Sequence, residues 1–223
     1  MNSKHLSPTV LLVGALLFGT VAEAAPILVG TSPGHYNDDL GTVLDGLPGF
    51  PCADVLCGDP YIGPIAPEPT FNAAAAAILG GWLGSPPSFN AHWTPLASIP
   101  SNWPINPETA IVYSFVLNSA AALHANFGVD NGVYVWVNGV YKFGAMAPGG
   151  VDPTEYANVN LGVLGAGTHY LQILREDHGR ANGFDMAVTA TPVPEPASMS
   201  LLGLGLAGLA VARRRRAGRR SKA

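Results

Sequence analysis

Positive charge is nearly missing from most of this chain. Between Ala25 and Pro192 only Lys142, Arg175 and Arg180 carry it, against thirteen acids, a formal charge of −10 with histidines neutral. Such a field repels nucleic acid and anionic surfaces and favours cations such as calcium. No basic patch with interleaved aromatics exists, which excludes nucleic acid as a partner. The other cations are Lys4 and seven residues beyond Ala212, so the whole-chain charge of −4 averages an acidic body with a basic tail. Cysteine is equally scarce. Cys52 and Cys57 stand alone, so no second pair completes a metal site. In an exported chain they read as a disulfide that orders the short loop between them. Also lacking are a His-Glu-x-x-His pair and a phosphate-cradling glycine loop with lysine. His178, beside Asp177, has no identifiable nucleophile partner in the sequence. These gaps point away from an enzyme.

What is present is clearest at the two ends. Lys4, the apolar stretch Val10–Val21 and the small-x-small triplet Ala22-Glu23-Ala24 predict a signal peptide over residues 1–24, removed on export. At the other end, Val193-Pro194-Glu195-Pro196-Ala197-Ser198 leads into an uncharged, mostly apolar run from Met199 to Ala212. Arg213, Arg214, Arg215 and Arg216 stop that run, with Arg219, Arg220 and Lys222 just beyond. Proline on each side of Glu195 removes backbone donors and holds the peptide extended. A helix over 197–212 would be about 24 Å long at about 1.5 Å per residue, short of the roughly 30 Å hydrocarbon core. It also contains Gly203, Gly205 and Gly208. The segment can insert, with its arginines held on the cytoplasmic side, but it suits an address more than a permanent anchor.

This order of parts closely resembles the PEP-CTERM sorting signal of bacteria that make extracellular polysaccharide. The resemblance implies that an exosortase, a membrane cysteine transpeptidase-like enzyme, recognises Pro194-Glu195-Pro196 and removes the helix. It further implies the secretion machinery as a partner, an inner-membrane intermediate, and a final place at the cell surface or in the extracellular matrix. A plain C-terminal membrane anchor is the competing reading of the same tail.

Between the two signals, residues 25–191 suit one domain with a sizeable core. The part from 26 to 70 is rich in Gly, Pro and Asp, with short strands expected near Pro26–Thr31 and Leu40–Leu44. Ala73–Leu83 predicts a short alanine-rich helix capped by Asn72. Trp82, Trp93 and Trp103 follow among prolines, as buried anchors of a loop-rich face. From Ala110 the character is β. Strands are expected at 110–117, 123–129, 132–137, 140–143, 159–164, 168–175 and 184–191, separated by turn residues. In Val133-Tyr134-Val135-Trp136-Val137 the valines take one face and the aromatics the other. Asn138-Gly139 is the preferred two-residue hairpin turn. The pattern predicts a mainly β domain, an antiparallel, jelly-roll-like β-sandwich with one short helix. Residues 192–223 form the sorting segment.

The stretch Phe127–Gly139 also resembles the Asp-x-Gly, strand, Asn-Gly signature of galactose-binding-like jelly rolls and of lectin modules with adjacent calcium-loop aspartates. Leu171–Gly179 and Gly183-Phe184-Asp185 are similar to the closing strand pair of many PEP-CTERM ectodomains. The resemblance implies extracellular polysaccharide as partner and calcium as the cofactor to test. The candidate calcium ligands are Asp130, Asn131 and Asn138, with a second oxygen cluster at Glu176, Asp177 and Asp185. Their plainer reading is Asx turns and a solvated acidic loop. Tyr134, Trp136 and Tyr141 are candidates for stacking on a sugar ring, with core burial the plainer reading. His35 with Asp38 and Asp39 reads as a group of turn formers. The expected role is structural or adhesive, in contact with exopolysaccharide. A calcium-dependent carbohydrate-binding module is the alternative, and a secreted hydrolase a third.

Overall fold

The computed structural model describes residues 25–48, 50, 66–105, 107–147, 150–152, 154–177, 179, 181–193, 203–206 and 208–209. Residues 1–24, Cys52, Cys57, His178, Pro194-Glu195-Pro196 and Arg213–Arg216 lie outside them. The elements run β1 (Pro26–Val29), β2 (Gly34–Gly41), α1 (Ala73–Leu79), β3 (Thr94–Leu96), β4 (Glu108–Leu117), β5 (Ala121–Val137), β6 (Val140–Ala147), β7 (Tyr156–Leu164), β8 (Gly167–Glu176) and β9 (Gly183–Pro192).

All pairings are antiparallel. The strands follow the order β1-β9-β5-β8-β4-β2-β3, with β6 and β7 also bonded to β5. One strand turns this sheet into a sandwich. The 17 residues of β5 were expected as two strands, 123–129 and 132–137, and they form one. Its first part lies between β9 and β7, and from Asn131 onward its partners are β6 and β8. The sheet therefore curls into two layers that share β5.

The period-2 pattern survives the bend. Leu123, Ala125, Phe127, Val129, Val133, Val135 and Val137 all enter one core, with Ile111, Tyr113, Phe115 and Leu117 of β4 and Leu171 and Ile173 of β8. Burying this inner face supplies the main stabilisation of the sandwich, at about 25 cal/mol per Å² of apolar surface.

The even face of β5 is covered as well. Tyr134 and Trp136, with Ala110, Val112 and Leu174, form a second core against Leu40, Leu44, Phe50, Ala75, Leu79, Trp82 and Trp93. A third layer thus lies over the sandwich, built from residues between Leu40 and Trp93. Polar side chains pin it down. Gln172 Nε2 donates to the Trp82 and Gly84 carbonyls (3.4 Å each), Asn37 Nδ2 to the Ile78 carbonyl (3.3 Å) and Trp136 Nε1 to Glu68 Oε1 (2.7 Å).

The Asn72 cap is present, its Oδ1 accepting from Ala75 N at 2.8 Å. The helix stops at Leu79 instead of Leu83, because Gly80 ends it with a φ of 59°. Gly34–Gly41, expected to be mostly turn, forms β2 because β4 and β3 flank it with open ladder positions. The hairpin at Asn138-Gly139 has φ 51° and 76°, as that turn requires. A Cβ on Gly139 would also lie 2.0 Å from the Leu83 carbonyl, so this glycine lets the cap approach the hairpin.

In the tail, residues 203–206 and 208–209 are helical. Among the described residues no helix is long and apolar enough to cross a membrane.

Candidate functional site

The bend in β5 gathers the carboxylates. Asp130, Asn131, Glu176 and Asp177 are all buried there, because Asn131 begins the second half of β5 and Gly132 faces Glu176 across the ladder. Gly132 suits that position, since a Cβ would lie 3.0 Å from Glu176 Oε2 and from the Met146 methyl and would press on both side chains. Glu108, 1 % exposed, sits beside them. Burial pushes its carboxyl up to about 9, against a weaker downward pull from its own backbone N–H, and the Asp45 and Glu176 carboxylates raise it further. On the other side, Glu155 Oε2 accepts from Val129 N at 3.2 Å. Burial also raises the Glu155 carboxyl, with Asp152 and Asp130 adding to the effect.

The structure separates the members of the first expected calcium group, Asp130, Asn131 and Asn138. Asn138 lies at the far end of the strand from Asn131, about 23 Å away at about 3.3 Å per residue. There it accepts from Tyr170 N at 2.9 Å and meets His169 Nδ1 at 3.1 Å. Asp185 faces Gly128 in the β9–β5 ladder, on the outward parity of β9, while Glu176 and Asp177 are buried. Among the described residues no group of three or more His, Cys, Asp or Glu side chains is placed to hold a metal ion.

Of the stacking candidates, Tyr134 and Trp136 follow their plainer reading, core burial. Tyr134 and Trp136 are fully buried in the second core. Trp136 packs edge-on to Trp82 at 5.3 Å and tilts against Tyr141 at 5.4 Å. Tyr141 is half-buried, and its hydroxyl donates to the Ala66 carbonyl at 2.7 Å. The two inner rings have no free face to offer a sugar. The sequence pattern distinguished the two faces of β5 correctly, but it could not reveal that a third layer covers the aromatic one.

Two further features come from the structure. Arg175 is fully buried, its guanidinium 4.1 Å over the Trp103 ring and near Tyr36 and Phe184. Nε donates to Thr109 Oγ1 (2.9 Å) and Nη1 to the Pro100 carbonyl (2.8 Å). Burial lowers its pKa to about 10, which leaves it charged at neutral pH. Arg175 therefore locks the 99–103 segment onto the sandwich and is withheld from any ligand. Separately, Gly30-Thr31-Ser32-Pro33-Gly34 spells Gly-x-Ser-x-Gly. Here Ser32 turns the chain between β1 and β2, with its Oγ accepting from Val29 N at 2.9 Å. No helix follows it, so it lacks the strand-to-helix elbow a serine nucleophile needs. His35, for its part, stacks on Phe89 at 3.9 Å, and Asp39 pairs with His92 at 2.7 Å.

Among the described residues, the surface has a groove of about 440 Å³ lined by His124, Asn126, Ala157, Asn158, Ala187, Thr189 and Thr191. It lies on the outer face of β7, β5 and β9. The registers stack Asn160, His124 and Thr189 in one rung, with Ala122 beside Thr191 in another. Asn126 Oδ1 accepts from the backbone N of Asn158 at 2.7 Å, which fixes the Asn126 carboxamide. Sequence reasoning missed these residues. The available signal was the outward parity of three neighbouring strands, where the side chains are small or polar.

Comparison with known proteins adds the following. Residues 192–216 match the PEP-CTERM protein-sorting motif. Among solved structures, the chain is similar to the PA14 sugar-binding domain from an RTX adhesin, with 16 % identity over 44 % of this chain and 52 % of that one and a TM-score of 0.31. It is also similar to the GH26-CBM35 β-(1,4)-mannanase of Podospora anserina, with 12 % identity over 74 % of this chain, 29 % of that chain and a TM-score of 0.26. The chain thus spans about half the length of the first and under a third of the second. No curated protein matches the sequence. The molecule is a curled antiparallel β domain followed by a PEP-CTERM sorting motif.

Proposed function

We propose that this chain is an exported, exosortase-processed protein whose β domain serves a structural or adhesive role with exopolysaccharide, at the cell surface or in the extracellular matrix. The observation that carries the reading is the sorting motif at 192–216. Its tail of apolar run and arginines is built to hold a passenger at the membrane until it is cut. The body fits a passenger of this kind. It is acidic, its two cores are buried behind β-sheet and cap, and its one central arginine is locked inside. A non-catalytic role is part of the proposal.

The test is localisation in a host that has the processing enzyme. Deleting Met199–Ala223, or replacing Glu195 with Ala, is expected to remove most of the protein from the cell surface and matrix fractions. A distribution identical to that of the unaltered chain would contradict the proposal.

A further inference from the structure

We propose that the outer groove of β7, β5 and β9 binds a neutral polysaccharide chain by direct hydrogen bonds, without a metal ion. The inference deepens the function proposed above, on which only the source of the polysaccharide rests. The groove's chemistry is independent of that reading.

Three observations define the ligand. The lining carries no carboxylate, lysine or arginine, and offers two carboxamides and two hydroxyls, of which that of Thr189 donates to the His124 carbonyl at 3.4 Å and keeps its oxygen free to accept. That is the hydrogen-bonding character of a polyol. The surrounding domain carries a formal charge of −10, which opposes anionic polymers. The lining also holds no aromatic ring other than His124, no arginine and no large apolar side chain. A protein partner, or a second copy of this chain, would find none of the anchors that carry protein interfaces.

The size fits too. About 440 Å³ falls within the roughly 300–1,000 Å³ of small-molecule sites, and three strands give a face about 10 Å across. Ala157 and Ala187 keep the floor low between the polar side chains. Asn126 spends its carbonyl on Asn158 N, and its amide N–H groups remain to donate.

The test uses the exported protein purified from its host, run by affinity electrophoresis through gels containing dextran, galactomannan or xyloglucan, with alginate as the anionic comparison and EDTA throughout. Retardation by at least one neutral polymer and not by alginate is expected. Thr189→Val with Asn158→Gly removes a hydroxyl and an amide while leaving the backbone conformation accessible. This pair should weaken binding about ten-fold, as two lost hydrogen bonds would, with an unchanged melting temperature. Val140→Ala, on an exposed residue outside the groove, should bind as the original does. Three results would each overturn the proposal: no retardation by any neutral polymer, retardation by alginate as strong as that by the neutral polymers, or full binding by the double variant. Self-association that the double variant abolishes would instead make this face a self-interface, and would overturn it too. Export is scored independently by the localisation experiment, so a secreted protein that fails to bind refutes the groove alone.

Discussion

Raising the pH from 5 to 8 is expected to weaken the folded domain steadily through Glu108. Its carboxyl is 1 % exposed and its Oε2 has no hydrogen-bond partner among the described residues. Burial pushes its pKa from 4.5 to about 9, with Asp45 and Glu176 adding to the rise. Between those two values the folded chain holds a proton that the unfolded chain has released. The contribution is therefore fully present below about 4.5 and is lost as pH climbs through 9. Across three units the loss approaches about 4 kcal/mol, a large share of the roughly 5–15 kcal/mol that holds a domain together. Glu108 opens β4 opposite Gly41 at the end of β2, and Asp45 lies in the turn that follows. Ionisation should accordingly loosen the base of the cap. Glu108→Gln keeps the shape of the protonated acid and should flatten the slope. Denaturant unfolding of both forms at pH 5 and 8 decides the matter. Parallel slopes would contradict this role for Glu108.

Trp136→Ala should cost about 3–5 kcal/mol, the range for emptying a large buried aromatic site. The ring is fully buried among Trp82, Phe71 and Tyr141, and its loss also removes the 2.7 Å bond to Glu68. Because that face of β5 meets only the cap layer, damage should begin there. Limited proteolysis is expected to cut within 66–93 while the sandwich strands remain protected. Trp136→Phe should cost roughly half as much, by retaining a ring. A loss below about 1 kcal/mol for the alanine variant would contradict the packing of the third layer.

The sequence made the strands legible where period-2 alternation is uninterrupted. β4, β8 and β9 lie close to their expected positions, and Asn138-Gly139 turns as its residue types demand. Turn-forming polar residues were the main source of error. Asp130-Asn131 read as punctuation between two strands, yet β5 runs through both. β2 was hidden because His35, Asn37 and Asp38 have turn propensity, which strand pairing on both sides overrides. The sites were less legible than the fold. A list of acids does not reveal which end of a strand each will occupy, and Asn138 and Asn131 fall at opposite ends of one strand half. Nor does alternation tell a solvated aromatic face from one beneath another layer, as Tyr134 and Trp136 demonstrate. The groove depends on residues from three strands distant in sequence, each unremarkable alone. By contrast the sorting motif is contiguous, so its chemistry can be read without the fold.

The most direct measurement is the intact mass of the mature protein recovered from the cell surface or medium of a host with the processing enzyme. The account predicts a chain that has lost residues 1–24 and also Arg213–Arg216 with the apolar segment before them. A surface form that still carries Arg213–Arg216 would contradict it, and would make the tail a permanent anchor.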